Sequence, residues 1–156
     1  MSDKILIVDD EKAIRDVLTA RLEYAGYIVE SAKNGREAIG AYLESLYMEI
    51  KPISLIILDI MMPGVNGLEV LQIIRKNEKL RRIDYENGVP IIMLTALEEA
   101  WMKSFNEGCD DYLTKPYELQ DLLDKIQEKL EQRRLNINPM FVTCPDSLLK
   151  DTRIQK

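Results

Sequence analysis

Asp9, Asp10 and Glu11 follow one short apolar run, Asp59 follows another, Thr95 follows a third, and Lys115 with Pro116 follows a fourth. Carboxylates brought together repel one another, and the repulsion is relieved by proton uptake or by a cation. Hard oxygen ligands with room for water suit Mg²⁺, which typically keeps several waters beside one or two carboxylates and a phosphate. A carboxylate is also a legitimate phosphoryl acceptor, forming an aspartyl phosphate. Phosphoryl transfer asks mostly for positioning and for neutralisation of the equatorial oxygens, which a metal, a lysine and a hydroxyl can supply. Any one of these residues alone reads as a solvated loop residue. Taken together, three or four carboxylates, one hydroxyl and one ammonium point to phosphoryl chemistry.

They meet only if the chain gathers the ends of the apolar runs on one edge. The runs are Ile5–Val8, Ile28–Val29, Leu55–Leu58, Ile91–Leu94 and a weaker Tyr112–Leu113. Uninterrupted β-branched and leucine runs suit strands covered on both faces, and their alternation with helical periodicity predicts a parallel α/β sheet. Ile14, Val17, Leu18 and Leu22 form the stripe of a first helix, with Gly26 as its stop. Ala38, Ile39 and Tyr42 to Tyr47 suggest a second, closed off by Pro52. Leu68, Val70, Leu71 and Ile74 mark a third, and Ala100 to Phe105 a shorter fourth. A fifth, opened by Pro116, carries Leu119, Leu122, Leu123, Ile126 and Leu130, with i,i+4 charge pairs such as Asp121 with Lys125. In such a sheet, ligands bind outside the carboxyl ends of the strands, where strand order reverses. The residues named above fall there.

Bulk properties narrow the class. The 156 residues suffice for one domain and a short appendage. A hydrophobic content of 46% with 31% charged residues is that of a soluble globular protein. The formal net charge of -6 argues against direct nucleic-acid binding, which favours a basic excess. Cys109 and Cys144 have no metal spacing and read as free thiols in a reducing cytoplasm. No apolar run approaches the length needed to span a membrane, and the first residues carry acids where a signal peptide needs an apolar stretch. The expectation is a cytoplasmic protein without membrane partners.

Four segments, ILIVDDE, LIILDIMMPGVNGLEVL, PIIMLTA and DDYLTKP, resemble the signature segments of response-regulator receiver domains, in the same order. The resemblance covers residues 3 to about 133. It implies a flavodoxin-like fold with strand order 2-1-3-4-5 and five helices; the strand order is the one the chemotaxis receivers exemplify. It implies that Asp59 accepts a phosphoryl group. Asp10, Asp59 and the backbone carbonyl of Met61 would hold Mg²⁺, or Mn²⁺ in its place, with Asp9 helping through water. Lys115 would pair with the phosphoryl oxygens, Thr95 would hydrogen-bond one of them, and Tyr112 would turn inward as the aromatic switch. Lys115–Pro116 resembles the family's cis peptide. Pro63, Gly64 and Gly67 read as a conformational turn.

The resemblance further implies a phosphoacceptor that promotes its own phosphorylation and dephosphorylation without being a dedicated enzyme. The donor would be a sensor histidine kinase or a histidine phosphotransfer protein, since this sequence contains no histidine. The face made by the fourth helix, fifth strand and fifth helix would bind a downstream protein or an output domain, and could pair two copies as a homodimer. A non-catalytic module of the same fold would usually lose an acid, the acceptor or the lysine, and none is lost. A nucleotide- or flavin-binding relative would need a glycine-rich loop after strand one, where acids stand instead. A phosphatase with an aspartyl nucleophile after strand one would use Asp10.

Two connections look longer than the family's, around Leu46–Pro52 and Leu80–Asn87, and that from Thr95 to Lys115 looks shorter. The expected division is a receiver domain over 1–134 and a tail or linker over 135–156, whose Ile137, Met140, Phe141, Val142, Leu148 and Leu149 are apolar.

Overall fold

The computed structural model describes residues 2–48, 51–84, 87–96 and 107–137. In chain order its elements are β1 (Lys4–Val8), α1 (Lys12–Tyr24), β2 (Ile28–Ala32), α2 (Gly35–Tyr47), β3 (Leu55–Asp59), α3 (Gly67–Leu80), β4 (Ile91–Thr95), β5 (Asp111–Thr114) and α4 (Leu119–Ile137). The five strands form one sheet in the order β2-β1-β3-β4-β5, and every pairing is parallel. The sheet is therefore as expected. Among the described residues there are four helices. The short helix expected at Ala100–Phe105, with Trp101, lies outside them, and so does the tail beyond Ile137 with Cys144. The helix expected as the fifth is α4.

The central strands are buried on both faces, which is why their sequences are uninterrupted apolar runs. Side chains still alternate. Leu6, Val8, Ile56, Leu58, Ile91 and Met93 face α2 and α3, meeting Ala38, Tyr42, Val70, Leu71 and Ile74. Ile5, Ile7, Leu55, Ile57, Ile92 and Leu94 face α1 and α4, meeting Leu18, Leu22, Leu122, Ile126 and Leu130. Each fully buried large side chain contributes roughly 1.5–3 kcal/mol, so these two layers fix the strand order and register. That register aligns the strand ends: β1 pairs with β3 so that Val8 lies opposite Leu58, and β3 with β4 so that Asp59 lies opposite Leu94.

Local signals account for the boundaries. Asn34 caps α2 by accepting from the Glu37 amide at 2.8 Å, and Asn66 caps α3 by accepting from the Glu69 amide at 3.0 Å. Past the end of α1, Gly26 adopts φ +99°, as its position as a stop requires. Two local expectations need correction. Pro116 does not open the last helix, which begins at Leu119. Lys125 does not pair with Asp121; it reaches both carboxylate oxygens of Asp111 on β5, at 2.9 and 3.0 Å, because a tertiary partner outcompetes a solvated helical one. Among the described residues no helix is long and apolar enough to cross a membrane.

Candidate functional site

The carboxyl ends of β1, β3, β4 and β5 place the site. Asp9 follows β1, and its amide donates to the Ala32 carbonyl at 3.2 Å, extending the β1–β2 pairing by one residue. The Ile60 amide does the same for β3 and β4, donating to the Leu94 carbonyl at 3.0 Å. Because Val8 lies opposite Leu58, Asp9 and Asp59 emerge side by side from adjacent strands. Both are buried, Asp9 completely and Asp59 to 4% exposure, whereas Asp10 is exposed. The Lys115 amide donates to the Thr95 carbonyl at 2.7 Å, which aims the lysine across the sheet edge. Its ammonium lies 3.5 Å from Asp9 Oδ2 and 3.4 Å from Asp59 Oδ2, shared loosely between the two.

The other oxygens are held by backbone. Asp9 Oδ1 accepts from the Glu11 amide at 2.9 Å, and Asp59 Oδ1 from the Met61 amide at 3.1 Å. Thr95 ends β4 and is fully buried. Tyr112 is half-buried; it lies opposite Met93, on the strand face that also carries Thr95 and Thr114. Lys115–Pro116 is a cis peptide. Every candidate from the sequence except Glu11 therefore lies at one sheet edge or beside it; Glu11 stands exposed at the N-cap position of α1.

Carboxylate oxygens of Asp9, Asp10 and Asp59 lie within 4.8 Å of one another. Ligands of one Mg²⁺ lie at roughly 2.0–2.1 Å from it, so trans ligands stand about 4.2 Å apart and neighbouring ones closer, and the three acids would draw together around one ion. Three carboxylates against one ammonium leave a negative excess that a divalent cation suits. The residues present fit a hard divalent metal.

Burial pushes the Asp59 carboxyl above the ordinary aspartate range; the Lys115 charge opposes this, the Asp9 charge adds to it, and the bonds from Met61 and Lys115 again oppose. Burial pulls Lys115 down, but the charges of Asp59 and Asp9 outweigh it, so its pKa ends above the ordinary lysine value. A raised carboxyl pKa makes ionised Asp59 a cost to the metal-free fold. The stability is complete below the unfolded-state value and is lost as pH rises through the folded one. Asp59→Asn is therefore expected to stabilise the metal-free protein at neutral pH, with the gain shrinking in acid. Urea unfolding of both proteins at several pH values checks it; equal stability throughout contradicts it.

The structure adds two residues that the motifs alone did not single out, Arg15 and Tyr117, and gives a third, Gly67, a different role. Gly67, read from sequence as a turn residue, is needed for a different reason. Its amide donates to the Ile60 carbonyl at 3.1 Å, and a Cβ there would sit 2.2 Å from the Asp59 carbonyl oxygen. Gly67→Ala must push α3 away from the Asp59 backbone, at about 1–3 kcal/mol in thermal or urea denaturation. A melting curve unchanged by the substitution would refute this packing. Arg15 donates to the Asp9 carbonyl at 2.7 Å; its position one turn into α1 was the available signal. Tyr117 is half-buried, and burial raises its hydroxyl pKa, with Lys115, Asp9 and Asp59 all close enough to act on it. Its place two residues after Lys115 was the clue.

Comparison with known proteins agrees with this geometry. A family model described as the response regulator receiver domain matches residues 5–127. The transcriptional regulatory protein YkoG of Bacillus subtilis, itself uncharacterised, is 41% identical over 130 residues, which are 82% of this chain and 51% of that protein. The DNA-binding dual master transcriptional regulator RpaA of Synechocystis is 37% identical over 131 residues, 83% of this chain and 49% of RpaA. The chain thus spans about half the length of the curated relatives it matches. Among solved structures, a CheY-like receiver domain protein from Methanospirillum hungatei superposes with a TM-score of 0.71 at 36% identity, covering 87% of this chain and 99% of that one. The response regulator TrrA of Thermotoga maritima, solved in complex with Mg²⁺ and beryllofluoride, gives a TM-score of 0.67 at 34% identity, covering 81% and 98%.

Proposed function

This chain belongs to the response-regulator receiver family, and from that premise we propose that Asp59 accepts a phosphoryl group from a histidine kinase or a histidine phosphotransfer protein. The observation that carries the assignment is the placement of Asp59: buried, at the end of the central strand, with Asp9 beside it and the Lys115 ammonium 3.4 Å away. In the transfer, a carboxylate oxygen of Asp59 forms the new bond to phosphorus as the phosphorus–nitrogen bond of the donor's phosphohistidine breaks. The electron pair leaves with the imidazole, which then takes a proton. Asp10, Asp59 and the Met61 carbonyl, with Asp9 through water, would hold Mg²⁺, and Mn²⁺ would be tolerated. The metal supplies neutralisation of the oxygens gathered around phosphorus. Lys115 binds one phosphoryl oxygen, giving up its loose pairing with the two acids, and the Thr95 hydroxyl holds another.

The chain would then act as a signalling component, promoting transfer to and from its own side chain without being a dedicated enzyme. One phosphoryl group acts at a distance only through an element whose two states bind it differently. Thr95 and Tyr112 form that element, on one face of adjacent strands. They bias the face to which β5 and α4 contribute, where a protein target, an output domain or a second copy binds; the helix expected to complete it lies outside the described residues. Residues 1–134 act as the receiver and 135–156 as a tail or as a linker to an output domain.

Incubation with acetyl phosphate and Mg²⁺ should add one phosphoryl group, recovered by mass spectrometry on the peptide containing Asp59. Asp59→Asn should lose it while keeping the fold. Full labelling of that variant, or label on Asp10, would sink the assignment.

A further inference from the structure

The best-organised polar cluster outside the site lies at the opposite end of the sheet, around a guanidinium that the proposed chemistry does not use. Arg75 on α3 donates from Nε to the Gly108 carbonyl at 2.8 Å and from Nη1 to the Val89 carbonyl at 2.9 Å. Its Nη1 also reaches Glu78 Oε2 at 2.8 Å, and its Nη2 reaches Asp110 Oδ2 at 2.8 Å. The two carboxylates carry the network onward. Glu78 Oε1 accepts from the Val89 amide at 2.7 Å, and Asp110 Oδ2 from the Ile91 amide at 2.8 Å. The Asp110 amide closes it by donating to the Ile91 carbonyl at 2.9 Å. Glu78 is 3% exposed, and a Cβ on Gly88 would sit 2.4 Å from its Oε2, so the backbone has been brought tight against the carboxylate.

These contacts join the beginnings of two particular strands. Val89 leads into β4, which Ile91 begins and Thr95 ends; Gly108 and Asp110 lead into β5, whose far end adjoins Lys115. Sliding β5 along β4 by one residue would break the Asp110 pairing with Ile91 and pull Gly108 and Asp110 from Arg75. Each loss would leave a largely buried polar group unpaired, which is the costly direction for hydrogen bonds.

We infer that Arg75 is the fixed end of the switch: it pins the starts of β4 and β5 to α3, so that a rearrangement begun at Thr95 does not carry through to the starts of these strands. This rests on the phosphoacceptor reading of Asp59. Arg75 acts through the strands and touches no reacting atom, so it is a positioning residue. Without the anchor, part of the response would leak into movement of β5 as a whole.

The test is amide hydrogen exchange on the full chain with and without Mg²⁺ and beryllofluoride, with ligand binding followed separately by fluorine resonance. In the native protein, exchange should change at Thr95 and Lys115, while the amides of Val89, Ile91 and Asp110 change less than about twofold. In Arg75→Lys, which keeps the charge but loses the fork, those three amides should respond by about tenfold or more. Its affinity for beryllofluoride should stay within about threefold of the native value. Gly88→Ala, which disturbs the network through Glu78, should show the same spread. If the three amides respond as strongly as Thr95 and Lys115 in the native protein, the anchor does not exist. If they stay silent in both variants, Arg75 is not what holds it. Failure of beryllofluoride to bind the native protein is a separate result, which overturns the phosphoacceptor reading and the anchor with it.

Discussion

Chelation of divalent metal should lower the rate of phosphoryl transfer to Asp59 by at least about a hundredfold, and Mg²⁺ or Mn²⁺ should restore it. The reason is charge. An incoming phosphoryl group brings negative oxygens into a place that already holds Asp9, Asp10 and Asp59, with carboxylate oxygens within 4.8 Å of one another. Against these stands one ammonium, already shared between two acids. The site also predicts an order among the ligands. Asp9 is buried, with one oxygen bonded to the Glu11 amide and the other beside Lys115, whereas Asp10 is exposed and no hydrogen bond or ion pair of its carboxylate is seen among the described residues. Asp10→Ala should therefore weaken metal binding more than Asp9→Ala, as read by titration of Mn²⁺. Transfer at an unchanged rate in the presence of a chelator, measured with acetyl phosphate, would remove the metal from the scheme.

Much of the site could be read from the sequence because it depends on strand ends. The runs ending at Val8, Asp59 and Thr95 are buried on both faces, so they stand out as apolar blocks, and an acid or hydroxyl at the end of each is conspicuous. Parallel pairing then brings the ends together without further information. What was not legible depends on contacts between distant residues. Glu78 sits within Lys76, Asn77 and Lys79, which reads as a solvated helix face, yet it is among the most buried charged side chains. Only the partners at Arg75 and Val89 explain why, and they come from the helix behind and the strand ahead. Gly67 illustrates the same limit: its sequence context is a turn, but its requirement comes from the Asp59 backbone passing too close for a Cβ. The fourth expected helix, Ala100–Phe105, lies outside the described residues.

Lys115→Met should destabilise the metal-free protein more than any other single change at the site, in the opposite direction to Asp59→Asn. The lysine side chain is 23% exposed, while those of Asp9 and Asp59 are 1% and 5% exposed, so methionine would fill the stem's space and leave two buried carboxylates without a counter-charge. Removing one partner of a buried ion pair costs roughly 3–5 kcal/mol, and the partial exposure of Lys115 sets the lower end of that range here. The pH dependence comes from the raised lysine pKa. Stabilisation by Lys115 is fully present below the ordinary lysine value of about 10.4 and is lost as pH rises through the higher folded-state value. The gap between native and variant proteins should thus be wide at neutral pH and close in strong alkali. It should also narrow in acid as Asp59, whose pKa is raised by burial, takes up a proton. Saturating Mg²⁺ should recover much of the lost stability, since a cation again faces the carboxylates, but not phosphoryl transfer, because the ammonium that meets the phosphoryl oxygen is gone. In Asp59→Asn the same lysine substitution should cost less, as only Asp9 remains to be stranded. Urea unfolding of the four proteins, with and without Mg²⁺, measures each quantity; equal penalties in the two backgrounds would mean that Lys115 and Asp59 do not interact.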